Sequence, residues 1–367
     1  MSKPGYLNHL KLRGFRSIHE VDLPLGKLNV LIGPNGAGKS NFINFFRFMN
    51  KLLQKDLQLY VAEQGGADAL LHFGRKHTRS LEINLQFDPN AYSCELIPTN
   101  DGRLIFEFES CRFNGSKTGY DGGIKHKSLA NPGAAESGLP SPSTATIAGH
   151  VAGYIKDWKV YHFHDTSKTA LVKQPCEVLD NERLREQGEN LAAFLFDVKE
   201  RKPDEYQRIL STIQRAAPFF HDFILEPDRH RDSKIRLRWK HKGNDAYFDA
   251  HSLSDGTLRF ICLTTLLLQP KLPSVILMDE PELGLHPYAI QLLGSMLRSA
   301  SESTQIIVST QSVTLANEFK PDDLIIVEHR DNRSQFRKLK PNAFESWLED
   351  YRLGDLWEKN LLGGTPR

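Results

Sequence analysis

The chain has 367 residues, 40% of them hydrophobic, with 47 Lys+Arg against 45 Asp+Glu, which fits one large or two modest globular domains with a sizeable core. A formal net charge of +2 excludes a surface that binds nucleic acid by its overall charge, so any such partner must meet a local patch. No apolar run approaches the ~20 residues that span a bilayer, and the N-terminus lacks an apolar signal core, so neither export nor membrane anchoring is expected. In chain order, residues 6–12 and 21–25 read as short strands around a turn at 13–16, and 28–32 as an apolar β run. A Gly/Pro-rich stretch at 33–38 follows. A helix is expected over 41–53, its stripe of Phe42, Phe45, Phe46 and Met49 facing the core.

Residues 81–87 and 104–108 alternate as strands. From 114 to 149 Gly, Ser, Pro, Ala and Thr dominate, and so few large apolar groups predict a flexible loop. A strand is expected at 160–163, then helices over 181–201 and 204–217 separated by Pro203, with no heptad run long enough for an extended coiled coil. The last third predicts a helix at 258–269, a buried strand at 275–279, a helix at 288–300, and strands at 305–309 and 324–327. Short β runs alternating with amphipathic helices imply an α/β fold with a largely parallel sheet covered on both faces. The expected division is 1–87 and 246–367 as two halves of one head, with 88–245 as an inserted α+β lobe.

Gly33-Pro34-Asn35-Gly36-Ala37-Gly38-Lys39-Ser40 is a full GxxxxGK[ST] phosphate loop, placed after an apolar strand and opening a helix. Its glycines let backbone N–H groups curl around phosphates, the helix N-terminus adds a positive dipole end, Lys39 supplies a point charge and Ser40 a Mg²⁺ ligand. ATP and Mg²⁺ are the expected ligands, with Asn41 beside the loop. The apolar run Val275–Met278 ends in two acids, Asp279 and Glu280. Asp279 suits the Mg²⁺ shell and Glu280 the general base, and on an extended strand they point to opposite sides. Leu253-Ser254-Asp255-Gly256-Thr257 opens a helix 26 residues before Asp279; alone it is an ordinary Ser/Asp helix cap.

Together these elements resemble the SMC/RecF-like branch of the ABC-class ATPases, in particular stand-alone bacterial ATPases related to the ATPase part of the overcoming-lysogenization-defect proteins. The segment 253–257 resembles the signature LSGGQ, 12–18 (LRGFRSI) is similar to that branch's N-terminal strand, and 282–287 (ELGLHP) holds its D-loop position. Residues 347–351 and 361–364 also look typical of the stand-alone group. The resemblance covers about 1–90 and 245–367. It implies an ABC-type P-loop NTPase head with an N-terminal antiparallel β subdomain and a nucleotide contact from Arg16. It also implies a homodimer that closes around two MgATP, with Ser254, Asp255, Gly256 and Thr257 facing the phosphate bound by the other copy. DNA, a separate effector protein and a role in DNA maintenance or phage defence are the expected partners and setting, by analogy of fold.

Two departures stand out. Gln311 occupies the place of the switch histidine and can hydrogen-bond a phosphate or water but carries no charge, so turnover is expected to be slow. Gln64 and Gln86 are both candidates for the Q-loop glutamine. About forty residues follow Val327, too few for the nuclease domain of the overcoming-lysogenization-defect proteins, so nuclease activity in cis is not expected. The competing reading is a nucleotide-gated scaffold with little hydrolysis.

Weaker signals remain. Residues 234–240 (KIRLRWK), flanked by Arg229, Arg231 and Lys242, alternate cations with apolar groups; this is either a nucleic-acid surface or a solvated sheet face. His162-Phe163-His164-Asp165 puts two imidazoles on one strand face, a pattern open to zinc or to none. Cys94, Cys111, Cys176 and Cys262 show no CxxC spacing, which fits reduced thiols in a cytoplasmic chain.

Overall fold

The computed structural model describes residues 5–115, 123–143, 145–228, 231–339, 347 and 351–364. The N-terminal part holds β1 (His9–Phe15), β2 (Ile18–Pro24), β3 (Leu28–Ile32), α1 (Lys39–Leu53), α2 (Leu57–Glu63), α3 (Ala67–Leu70), β4 (Leu81–Gln86), β5 (Asn90–Pro98), β6 (Leu104–Asn114) and β7 (Ile124–Ala130). Then come α4 (Ile147–Lys156), β8 (Trp158–Tyr161), β9 (Cys176–Glu177), α5 (Leu191–Arg201), α6 (Pro203–Ala216) and the short strands β10 (Phe220–Ile224), β11 (Pro227–Asp228), β12 (Arg231–Ile235), β13 (Arg238–His241) and β14 (Tyr247–Asp249). The chain continues with α7 (Asp255–Leu268), β15 (Val275–Asp279), α8 (Pro287–Ser301), β16 (Gln305–Thr310), α9 (Val313–Ala316), β17 (Leu324–Arg330), β18 (Arg333–Lys338) and α10 (Leu353–Glu358).

Two six-stranded sheets organise these elements. One is antiparallel, in the order β2-β1-β4-β5-β6-β7; the other runs β18-β17-β3-β16-β15-β8, with every pair from β17 to β8 parallel. Strands β3 and β16 are buried at every position, as expected of a parallel sheet covered on both faces. Alternate residues feed two cores. Leu31, Leu277 and Ile307 pack with α1, α4 and the antiparallel sheet, while Val30, Ile276 and Ile306 pack with the helices from α5 to α10. Helix α1 thus lies between the sheets, and its Phe42, Phe45, Phe46 and Met49 are buried as expected.

The middle of the chain departs from the expected inserted lobe. Strands β5–β7 extend the antiparallel sheet begun by β1 and β4, and β8 is the edge of the parallel sheet. Helices α5 and α6 share the second core instead of forming one of their own. The flexible loop expected over 114–149 is corrected for its described residues, with 116–122 and 144 lying outside them. β7 pairs with β6 over Ile124–Ala130, as an edge strand whose side chains face solvent and therefore leave no apolar alternation. Helix α4 buries Ala148, Gly149, Val151 and Ala152, small residues that pack closely and mimic a loop composition. The helix expected over 181–201 begins only at Leu191. Before it, the buried Asn190 amide donates to the Asp180 and Arg183 carbonyls at 2.8 Å each and so holds a non-helical turn.

Candidate functional site

The five parallel strands end on one edge, so the residues that follow them converge, the usual place for a ligand in such a sheet. In register, Met278 lies opposite Tyr161, Asp279 opposite Ser309, and Thr310 opposite Ile32. His162, Asp279 and Glu280, Gln311 and Gly33 therefore leave the sheet side by side.

The phosphate loop is shaped by close approach. A Cβ on Gly33 would collide with the Val327 carbonyl, and one on Gly38 with the Ser334 hydroxyl. Gly36 and Gly38 take φ of 78° and 110°, the left-handed region glycine enters freely. The buried Lys39 ammonium donates to the Gly33 and Pro34 carbonyls at 2.8 and 3.1 Å. Burial pulls its pKa below the ordinary lysine value, against the opposing field of Glu280, Asp279 and Glu282. Ser40 at the start of α1 is exposed, as are Asn35 and Gly36. The Asn41 amide donates to Ser17 Oγ at 2.7 Å. Next to Ser17, Arg16 has φ 51°; its guanidinium donates to the Gln64 side-chain oxygen and its carbonyl meets His72 Nδ1 at 2.7 Å.

Asp279 ends β15, and its carboxylate accepts from the Ser309 hydroxyl. Glu280 is not on an extended strand. It has φ 45°, and its N–H donates to the Ser309 carbonyl at 2.9 Å, so a turn, not strand alternation, separates the two carboxylates. Glu282 is the acid that sequence reasoning passed over. It is buried; one oxygen accepts from the Thr310 hydroxyl, and Oε2 is buried with no partner. Burial raises its pKa, although Thr310 and the backbone N–H groups of Glu282 and Gln311 pull the other way. The Gln311 side chain is exposed.

Neither glutamine weighed for the Q-loop reaches this edge. Gln64 caps α2 beside Arg16, and Gln86 is paired with His9 and Ala91 in the antiparallel sheet. The histidine pair is there instead. His164 Nε2 lies 2.7 Å from the Asp279 carbonyl, which can only accept, so Nε2 carries the proton. The His162 ring lies 4.5 Å from that of His164. Asp165 accepts from the Ser167 N–H, and among the described residues no three His, Cys, Asp or Glu side chains form a metal cage.

The signature-like turn forms the start of α7. Ser254 is its N-cap, accepting from the Thr257 N–H at 3.2 Å, and Ser254 and Asp255 are exposed while Gly256 and Thr257 are half-buried. A Cβ on Gly256 would collide with the Gly284 carbonyl, so this turn sits against the loop that follows β15. Arg259, also unremarked in the sequence, is a charged residue within the stretch of α7 that is buried from Leu258 to Leu267. It is buried and donates to the carbonyls of Phe163, His164 and Leu283.

The basic run at 234–240 does not persist as one strand. It divides between β12 and β13, which belong to different sheets, and three of its four cations face acids, Lys234 with Glu177 at 2.6 Å, Arg236 with Asp228 at 3.9 Å and Arg238 with Glu226 at 4.0 Å, while Lys240 lies over the Tyr247 ring. Arg229 lies outside the described residues. A cleft of about 680 Å³ elsewhere has Arg47, Lys51, Lys55, Lys156 and Lys159 against two acids, Glu63 and Glu186; Lys51 pairs with Asp56 at 3.4 Å and Lys159 with Glu186 at 3.8 Å.

A family model described as "AAA domain, putative AbiEii toxin, Type IV TA system" matches residues 28–317, from the first residue of β3 to just past α9. The chain belongs to this family. It is also 24% identical over 373 residues to an OLD nuclease of Thermus scotoductus, covering 95% of this chain and 67% of that protein. Among solved structures it is similar to an SMC head bound to the C-terminal winged-helix domain of ScpA, with a TM-score of 0.57 at 16% identity over 91% of this chain and 98% of that one. A Pyrococcus furiosus Smc head with an extended coiled coil, bound to the C-terminal domain of ScpA, gives 0.56 at 16% identity over 94% and 99%. The chain has the fold of the SMC heads, that of an ABC-type P-loop NTPase, and is similar in sequence to an OLD nuclease. Among the described residues no helix is long and apolar enough to cross a membrane.

Proposed function

We propose that this family member binds ATP with Mg²⁺, closes as a head-to-head homodimer and hydrolyses the nucleotide to open again. The observation that carries this reading is the shared edge where Lys39, Asp279 and Glu280 meet, the lysine feeling the charge of both acids. The loop Gly33–Gly38 and the N-terminus of α1 offer N–H donors to the phosphates, and Lys39, now turned onto its own loop, swings to them. Ser40 and Asp279 provide oxygen donors of the kind Mg²⁺ prefers. When bound, the cation neutralises charge on the β- and γ-phosphates. Glu280 takes the proton of the attacking water. Gln311 holds that water or the γ-phosphate by hydrogen bond, and Arg16 and Asn41 sit on the nucleoside side. His164, and not Gln64 or Gln86, fixes the main chain of Asp279 from the neighbouring loop.

The exposed N-terminus of α7, with Ser254, Asp255, Gly256 and Thr257, docks on the phosphate held by the second copy. A DNA partner is assigned to the cleft at α1, where five cations line the wall against two acids, in place of strands β12 and β13. A separate effector and a role in phage defence are part of this reading by analogy of fold alone. In the test, Lys39→Ala abolishes ATP binding, and Glu280→Gln retains binding while lowering turnover on the order of 10²–10⁴-fold. The uncharged, exposed Gln311 favours one second reading, a nucleotide-gated scaffold. Phosphate release measured with and without DNA separates the two: steady turnover that DNA stimulates rules the scaffold out, and undetectable turnover rules it in.

A further inference from the structure

Arg259 stands about one turn into α7, 6% exposed, and its hydrogen bonds go to main-chain carbonyls instead of an acid. Nε donates to Phe163 O and Nη2 to His164 O, each at 3.1 Å, and Nη1 to Leu283 O. Taking a guanidinium out of water without an ion-pair partner is unfavourable, and three carbonyl dipoles offset only part of it. A purely apolar residue would fill the space of a helix that is otherwise buried from Leu258 to Leu267 with less penalty. What the arginine adds is connection. It joins the helix that begins with the Ser254–Thr257 turn to the loop after β8 and the loop after β15. The first of these loops carries His164, whose ring holds the Asp279 carbonyl at 2.7 Å. The second carries Gly284, at φ 76°, whose carbonyl supports Gly256 and whose missing Cβ leaves room for Arg259 Nη1.

We propose that Arg259 is a positioning residue that couples the phosphate-docking turn of α7 to Asp279 through His164. A shift of α7 on engaging the second copy's phosphate moves the guanidinium and both loops with it, and His164 passes the shift to the main chain of Asp279. This rests on the reading of α7 as the element that meets the phosphate of the other copy. A brace with a structural role alone would lower stability and leave the turnover of the folded protein intact.

The test compares Arg259→Gln, Arg259→Lys, His164→Ala and the Arg259→Gln/His164→Ala double variant. ATP affinity, thermal unfolding and kcat are measured for each. The proposal expects ATP affinity within about twofold of the parent, because Lys39 and its loop are untouched, and kcat lowered on the order of tenfold to a hundredfold in each single variant. It expects the double variant to fall no further than the weaker single one, since groups acting in one chain are not additive. Arg259→Lys keeps the charge but cannot reach three carbonyls, so it too loses kcat. A folded Arg259→Lys or Arg259→Gln protein with parental kcat overturns the proposal, as does a double variant whose loss equals the product of the two single losses. If Arg259→Gln does not fold, Arg259→Lys alone and paired with His164→Ala gives the same comparison. Failure of the dimer reading is distinct: there Glu280→Gln stays monomeric with MgATP, whereas failure of the coupling leaves that dimer intact and the Arg259 variants fully active.

Discussion

Glu280 holds a left-handed backbone conformation, φ 45°, that costs a non-glycine residue on the order of 1–3 kcal/mol. The bond from its N–H to Ser309 O and the turn through Pro281 retain it. Two residues on, Glu282 is an acid whose burial the folded state resists. Its pKa is raised, so the folded chain binds its proton more tightly than the unfolded chain does. The associated stability is present at low pH and is lost as pH rises through the raised value. Glu282→Gln removes the buried charge while keeping an oxygen for Thr310. Its melting temperature should exceed the parent's at pH 8, and the difference should shrink as pH falls; a variant less stable at pH 8 contradicts the account. Lys39, Asp279 and Glu280 were legible in the sequence because each lies in a motif with a fixed mechanism. Glu282 was not, because its burial comes from Thr310 on a strand 28 residues away.

At the level of elements, the phosphate-loop helix, the strand ending in Asp279 and the cap at Ser254 were all readable from apolar periodicity and capping chemistry. β7 and α4 were not. An edge strand with solvent-facing side chains carries no alternation, and its position is set by its ladder with β6. The role of Gly256 is also invisible in sequence, since only the fold brings it against the Gly284 carbonyl. Gly256→Ala should push α7 off that loop, lowering stability by about 1–3 kcal/mol and turnover with it, as denaturant unfolding and phosphate release will record. The run at 234–240 illustrates the opposite failure. Its alternation is real, but the bend between β12 and β13 and the acids around it consume the charge. Replacing Arg47, Lys51 and Lys156 by Glu should weaken oligonucleotide binding and reduce its salt dependence by about one unit of slope for each phosphate no longer neutralised, whereas replacing Lys234 and Arg238 should leave it unchanged. Equal weakening by both sets contradicts the assignment of the cleft, when measured by anisotropy at several salt concentrations.

For the molecule as a whole, the near balance of acidic and basic residues conceals a layered division of labour. The antiparallel sheet and α1 form one core, the parallel sheet separates it from the helices of the other, and the candidate site lies where β3, β15, β16 and β8 end. Motifs mark the phosphate loop near the start of the chain and the strand ending in Asp279 in its last third. The middle was misread as a separate lobe because its segments complete sheets begun elsewhere, and such long-range pairing leaves little trace in local sequence. The central claim concerns two copies. In the proposed cycle a phosphate loop in one and the exposed start of α7 in the other make a complete site only when ATP joins them, and Glu280→Gln should stall the protein at that stage. Light scattering on a size-exclusion column, run on Glu280→Gln with and without saturating MgATP, tests this most directly. A shift from the mass of one chain to that of two on adding MgATP, absent when Lys39→Ala is introduced as well, is the predicted result; elution as a monomer at saturating MgATP contradicts it.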